Sequence, residues 1–147
     1  MQRRPLILAI PALLSRPARA DPPAGFIGIV PTEGGGTVAL AAAQVVRVGR
    51  AEGHTVIDTA AWVQQRTVES VDSVAARLAA AGARFIPLTD LANGRIYLAA
   101  DRIVLVRESG ARHAAGARAA IVMVGLRFGT DVAVRESAEE VLVLLGR

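Results

Sequence analysis

Residues 94–106, GRIYLAADRIVLV, repeat a stretch that lies 58 positions earlier, residues 36–48, GTVALAAAQVVRV. Repeats are considered first, because a duplicated unit determines the architecture of the whole chain. Six positions are identical and two are conservative: Gly36/Gly94, Leu40/Leu98, Ala41/Ala99, Ala42/Ala100, Val46/Val104 and Val48/Val106, with Val38/Ile96 and Val45/Ile103. The repeated stretch predicts a tandem duplication.

The sequence on either side repeats as well. Residues 69–74, ESVDSV, correspond to residues 136–141, ESAEEV, and Phe26-Ile27 corresponds to Phe85-Ile86. The matches therefore extend beyond one short stretch to a unit of about 60 residues, the length expected of a repeated supersecondary unit.

The two repeat units span residues 26–82 and 85–147. A domain of this size buries only about 60% of the surface of its unfolded chain, so it is marginally stable alone. We therefore expect the units to pack together as a pseudo-dimer about a pseudo-two-fold axis.

Short apolar or alternating segments bounded by turn residues predict strands. In the first unit they lie at residues 26–30, 37–41, 44–50, 55–59 and 62–68. Alternation over 44–50 places Val46 and Val48 on one face and Val45 and Arg47 on the other. Ser70 then begins an amphipathic helix, and Gly82 is placed to end it.

The second unit repeats this order around an insertion, residues 109–118. Its predicted strands lie at residues 85–89, 96–99, 102–107, 120–124 and 130–134. Ser137 and Glu140 form a capping box at the start of its helix. The buried face of that helix is predicted to contain Ala138, Val141, Leu142 and Leu145. The fold class is therefore α+β, mainly β, with about five short antiparallel strands and a C-terminal helix in each unit.

Residues 1–24 form a leader with two open interpretations. Its basic start, its apolar run and the small-x-small pattern at Ala18-Arg19-Ala20 resemble a signal peptide that is cleaved after Ala20. Alternatively, the leader is a disordered extension. The apolar run is shorter than the roughly 20 residues of a stable membrane span. We expect a cytoplasmic protein, with export as the alternative.

Charge and composition narrow the function. The chain has a net charge of +4, most of it in the leader, so the repeat units lack the clustered positive charge of a nucleic-acid-binding surface. There is no cysteine, and His54 and His113 are predicted to be surface residues without neighbouring metal ligands. The sequence predicts no catalytic residue, no metal site and no cofactor.

Trp62 is the only tryptophan and is the first candidate binding residue. If strand alternation holds, Trp62, Gln64 and Arg66 share one face, and an exposed tryptophan there would anchor a partner. A core tryptophan with broken alternation is the other interpretation. Arg127 and Phe128, in the equivalent loop of the second unit, are weaker candidates of the same kind.

The second unit resembles the small FlbD family of flagellar and swarming-motility proteins. The similarity rests on residues 86–89, IPLT, on Asn93-Gly94, and on residues 134–141, VRESAEEV. The family pattern is a single unit, whereas this chain has two units and the insertion. The resemblance implies a non-enzymatic accessory or assembly factor, with no active site to carry over.

The strands followed by a Val-x-Glu-Ser helix are also similar to the first part of LytTR-type DNA-binding domains. The portion that reads DNA in those domains has no counterpart after Leu78 or Leu145. The sequence therefore predicts a protein-binding or assembly module. A nucleic-acid-binding regulatory module is the alternative, and an enzyme is not favoured.

Overall fold

The computed structural model describes residues 21–127 and 131–147. Most of the predicted leader, including the proposed cleavage site after Ala20, lies outside the described residues, and so does Phe128. The strands are β1 Phe26–Ile29, β2 Val38–Ala41, β3 Val45–Ala51, β4 His54–Thr59, β5 Gln64–Thr67, β6 Phe85–Thr89, β7 Arg95–Ala99, β8 Ile103–Glu108, β9 Ala119–Met123 and β10 Val132–Val134. The helices are α1 Val71–Ala80 and α2 Ala138–Leu145.

The predicted order of elements is confirmed: the described chain is mostly β, with antiparallel sheets and two α-helices. Ser70 caps α1 by accepting a hydrogen bond from the Ser73 amide, and Ser137 and Glu140 form the predicted capping box of α2. Two short 3-10 turns, Ala42–Gln44 and Ala100–Arg102, were not predicted. None of the described helices is long and apolar enough to cross a membrane.

Strand pairing follows the same scheme in each half of the chain. A hairpin, β1-β2 or β6-β7, is followed by a three-stranded meander, β3-β4-β5 or β8-β9-β10. The registers also correspond, since Ile27 lies opposite Leu40 and Ile86 lies opposite Leu98.

The halves are joined by an antiparallel contact between β3 and β7, which creates one five-stranded sheet in the order β5-β4-β3-β7-β6. This junction pairs unlike strands, the third strand of one unit with the second of the other. A two-fold axis would also pair β2 with β8. Within the described chain β2 pairs only with β1 and β8 only with β9, so the predicted pseudo-two-fold arrangement is not confirmed.

A β-bulge corrects the predicted alternation of β3. The register shifts between Val45 and Arg47, which leaves Val46 as the additional residue of the bulge. A bulge re-aims the side chain of its extra residue. Val45 and Val48 therefore pack in the core of the first unit, whereas Val46 enters the core of the second. The prediction that Val46 and Val48 share a face was wrong.

Each unit has its own aliphatic core, and the helices cover these cores unequally. Helix α1 packs against β1, β3 and β7, and so receives a strand from the second unit. Helix α2 makes its main contacts with β6, β8 and β9, which all belong to its own unit. Val141 is buried, but Leu142 is 57% exposed, so its predicted place on the buried face was wrong. Because no strand of the first unit is among the main contacts of α2, the side of this helix that carries Leu142 remains exposed.

Polar contacts reinforce the junction. The Tyr97 hydroxyl on β7 donates a hydrogen bond to Asp72 Oδ1 on α1, at 2.8 Å. Burial, and next the hydrogen bond to Asp72, raises the pKa of Tyr97, so the phenol keeps the proton that it donates. Arg102 donates to the Ala43 carbonyl at 3.1 Å and to Gln44 Oε1 at 3.2 Å, which ties the two 3-10 turns together.

The insertion, residues 109–118, is held by one carboxylate. Arg107, Arg112 and His113 all contact Asp131 Oδ2. The Gly110 amide donates to His113 Nδ1 at 2.7 Å, which leaves Nε2 to carry a proton toward Asp131. The His113 side chain is only 10% exposed, so the prediction of a surface histidine was wrong.

Replacing Asp131 with asparagine is expected to loosen the insertion, because the substitution keeps the size of the side chain but removes its charge. Trypsin should then cleave after Arg112 faster than in the unmodified chain, since proteolysis favours poorly anchored loops. The matched control is Glu52→Gln, which breaks the exposed ion pair with Arg66 and should leave the cleavage rate unchanged. Equal cleavage of both variants and the unmodified chain would contradict the anchoring role.

This contribution of Asp131 depends on pH. Hydrogen bonds from His113 and then Arg107 hold the pKa of Asp131 below its usual range. Because the folded-state pKa lies below the unfolded one, the stabilisation is complete above the ordinary carboxyl range and is lost as pH falls through the lowered value. Asp131→Asn should therefore lower the urea concentration at the midpoint of unfolding at neutral pH. This difference from the unmodified chain should decrease as the pH falls through the lowered pKa of Asp131.

Candidate functional site

A cleft of about 240 Å³ lies where the loop between β4 and β5 meets the segment that follows β9. Both units contribute to it, so the cleft exists only because the halves pack together. Its lining combines two arginines, one aspartate, one tryptophan, two uncharged polar residues, one glycine and one leucine. The lining residues are Arg47, Asp58, Thr59, Trp62, Gln64, Gly125, Leu126 and Arg127.

Trp62 lies in the tight turn between β4 and β5, before the first residue of β5. Its amide donates to the Thr59 carbonyl at 3.0 Å, and the Thr59 amide donates to the Val63 carbonyl at 3.2 Å. These are the bonds of a three-residue hairpin loop, in which the third residue is left-handed. The prediction that Trp62 belongs to a strand was wrong, and strand alternation does not apply to it.

The backbone of Trp62 is strained. Its φ is +64°, and a left-handed conformation costs an L-residue about 1–2 kcal/mol. Glycine is the residue that this turn position favours. Trp62 is also 61% exposed, so burial of the indole offers little compensation. Strain of this kind, kept at an exposed aromatic residue, is typical of functional sites.

Gly125 brings the second unit against this turn. Its φ is +96°, and a Cβ built on it would lie 3.0 Å from Val46 Cγ2 and 3.2 Å from the Ala60 Cα. Ala60 and Leu126 both pack against the core of the second unit. The absence of a side chain at position 125 therefore allows the two loops to touch, and that contact forms the wall of the cleft.

Three charged residues line the cleft together with Trp62. Arg47 lies on β3, and its guanidinium lies over Gly49. A Cβ built on Gly49 would be 3.4 Å from Arg47 Nε. Gln64 Nε2 donates to Asp58 Oδ1 at 2.6 Å, which orients that carboxylate. Arg127 supplies the second guanidinium of the lining. The lining thus carries two positive charges against one negative charge.

The structure brings together three of the five predicted binding residues: Trp62, Gln64 and Arg127. Arg66 is not among the cleft residues. Its guanidinium pairs with Glu52 at 3.0 Å, and it lies with Gln64 beside a separate hollow at residues 31–33. Phe128 lies outside the described residues.

Sequence reasoning missed the other five residues of the cleft lining, which are Arg47, Asp58, Thr59, Gly125 and Leu126. Arg47 and Asp58 come from strands that alternation treated as ordinary half-buried strands, and their convergence with Trp62 depends on the β3-β4 register. Gly125 had a detectable signal, because it follows a strand at the position where a turn is required. Its partner Ala60 could not be identified without the packing of the two units.

The size and chemistry of the cleft limit what it can hold. Small-molecule pockets usually have volumes of about 300–1,000 Å³, so this cleft suits a side chain better than a whole ligand. Within residues 21–127 and 131–147, no group of three or more His, Cys, Asp or Glu side chains is placed to hold a metal ion. In the same lining as the indole, the guanidinium group of Arg47 suits a carboxylate.

Two exposed apolar residues are sequence neighbours of cleft residues. Val63 follows Trp62 and is 52% exposed, and Val124 precedes Gly125 and is 54% exposed. An apolar surface beside charged groups is typical of interaction sites. Comparison of the chain with known protein families, curated proteins and solved structures found no match, so the site itself carries the functional argument.

Proposed function

We propose that this protein is a non-enzymatic protein-binding module whose cleft holds an apolar side chain from a partner segment that also carries a carboxylate. The observation that supports this proposal most strongly is Trp62, a 61% exposed tryptophan in a left-handed turn position. Tryptophan is among the residues most enriched at binding hot spots. Because the exposed indole and its left-handed backbone both cost stability, we infer that Trp62 contributes binding energy in a complex with a partner.

The charges at the cleft support the acidic character of the partner segment. Arg47 contributes a guanidinium to the lining, and the carboxylate of Asp58 is already engaged by Gln64. A guanidinium binds a carboxylate with two parallel hydrogen bonds and so fixes the orientation of a docked segment. The indole would supply contact area, and the guanidinium of Arg47 would fix the orientation of the partner segment.

The resemblance to the FlbD family fits this proposal, since it implies an accessory or assembly role without catalysis. We propose that the chain is a tandem duplication whose junction created the cleft, because a single unit would provide only one of its two walls. A cytoplasmic location belongs to the same proposal.

Affinity capture tests the proposal. The full chain and a Trp62→Ala chain are immobilised in parallel, and the retained proteins are quantified. We expect a protein with an acidic segment to be retained by the unmodified chain and depleted from the variant. A protein retained equally by both chains is background.

Two outcomes would count against a protein partner. If no protein is depleted by the substitution while a small molecule raises the melting temperature of the unmodified chain, the cleft binds a small ligand. If retention disappears after nuclease treatment and falls steeply with salt, a nucleic acid is the partner.

A further inference from the structure

The outer edge of β8 has no paired strand within residues 21–127 and 131–147. Strand β8 ends its three-stranded sheet, and β9 is the one described strand that pairs with it. Val104 is 56% exposed and Leu105 is 42% exposed on this strand. A free strand edge with apolar side chains is a template for pairing with another strand.

The first unit shows what covers the equivalent edge. The β8 bulge between Ile103 and Leu105 recurs 58 positions after the β3 bulge, so Val104 occupies the position of Val46. Val46 is fully buried, because β7 pairs alongside and the second unit receives its side chain. Val104 has the same bulge geometry without a receiving unit.

The complementary edge, in the first unit, is also unpaired in the part of the chain that the structure describes. Strand β2 is the counterpart of β7, and among the described strands it pairs with β1 alone. Ile96 on β7 is almost fully buried, whereas its counterpart Val38 on β2 is only half-buried. Tyr97 is half-buried, whereas its counterpart Ala39 is exposed. One chain therefore contains a second copy of each strand edge of its internal junction, and neither edge is paired with a described strand.

We propose that a second copy of this chain docks head to tail, with its β2 edge on β8, and so repeats the β3-β7 junction between molecules. In the internal junction Arg47 lies opposite Leu98 and Val48 lies opposite Tyr97. The same register places Leu105 opposite Leu40 of the second copy and Val106 opposite its Ala39. Val104 then enters the core of that copy, beside its β1-β2 hairpin.

Two sequence differences limit this contact. Arg107 stands where β3 has Gly49, and its guanidinium is bound to Asp131 of its own unit, so the pairing ends at Val106. Ala39 stands where β7 has Tyr97, so the hydrogen bond to α1 has no counterpart. The contact is therefore stabilised by strand pairing and by the insertion of Val104.

The contact joins unlike surfaces, so each added copy leaves a β2 edge and a β8 edge free. Such heterologous contacts generate rings or open filaments. The surface is separate from the Trp62 cleft, and self-association does not depend on the proposed function of that cleft. A Trp62→Gly chain should associate with itself as the unmodified chain does.

Val104→Arg tests the proposal in the full chain. The average mass in sedimentation equilibrium should rise above that of one chain with increasing concentration, and the substitution should weaken this association about 30-fold or more, the effect of losing a hot-spot residue. The control is Val68→Arg, because Val68 is 83% exposed and lies outside both edges. A circular dichroism spectrum identical to that of the unmodified chain establishes that the variants fold.

Engineered cysteines test the register. The chain has no cysteine, so Ala39→Cys and Val106→Cys introduce the only thiols. Residues directly opposite in an antiparallel pair have Cβ atoms about 4.5–5.5 Å apart, close to the 3.5–4.5 Å of a disulfide. A mixture of the two chains should oxidise to a mixed dimer, whereas Ala39→Cys mixed with Ser73→Cys should not.

Three results would overturn the proposal. The first is a mass of one chain at every concentration. The second is an association that Val104→Arg and Val68→Arg weaken equally. The third is preferential oxidation of Val106→Cys with itself, which would indicate a β8-β8 contact instead.

Discussion

Replacing Trp62 with glycine is expected to abolish most partner binding while leaving the protein at least as stable as before. Loss of a hot-spot tryptophan costs about 2 kcal/mol or more, which weakens binding about 30-fold. The same substitution relieves a left-handed backbone that costs about 1–2 kcal/mol. The larger entropy of glycine in the unfolded chain offsets roughly 0.5–1 kcal/mol of that gain.

Trp62→Ala is the matched control, because alanine removes the indole but keeps a Cβ on the left-handed residue. Both variants should lose the same affinity for the captured partner in calorimetric titration. The glycine variant should have the higher free energy of unfolding in urea, by about 1 kcal/mol. Undiminished affinity in both would refute the anchoring role, and equal stability would refute the strain.

Gly125→Ala is expected to cause the largest loss of stability, about 3 kcal/mol. A left-handed φ disfavours alanine by about 1 kcal/mol. The new Cβ would also lie 3.0 Å from Val46 Cγ2 and 3.2 Å from the Ala60 backbone, and overpacking of this kind costs typically 1–3 kcal/mol. The Ala60 contact cannot relax without moving a backbone that lies at the junction of the units.

Gly53→Ala separates these two contributions. Gly53 has a φ of +79°, and nothing lies within 4 Å of the site where its Cβ would be, so only the backbone cost applies. We expect a loss of about 1 kcal/mol for this control in urea unfolding. If the two variants lose equal stability, the close approach of the β9 segment to Ala60 does not contribute to stability.

The local patterns of this sequence were sufficient to place the elements. Caps and tight turns depend on residues that are close in the sequence, so the sequence alone predicts them. Examples are the capping box at Ser137 and Glu140, the cap at Ser70 and the turn at Asn93-Gly94. Residues near turns were less predictable. Trp62 was assigned to a strand, although the turn holds it by bonds to Thr59 and Val63.

The candidate site was only partly predictable for the same reason. Trp62, Gln64 and Arg127 were identified by residue type, which sequence displays directly. Arg47 and Asp58 were missed, because they join the cleft through strand register and through the space above Gly49. Convergence of residues from separate strands depends on contacts that no local pattern encodes.

By itself, the sequence determined the order of strands and helices and the repetition of that order, because propensity, capping and turn formation are local interactions. Only the tertiary structure decided which strands meet between the units, where the Val46 side chain goes, and that Trp62 is exposed. Those outcomes depend on bulges and on the packing of distant segments, since a single bulge re-aims a side chain from one core into another.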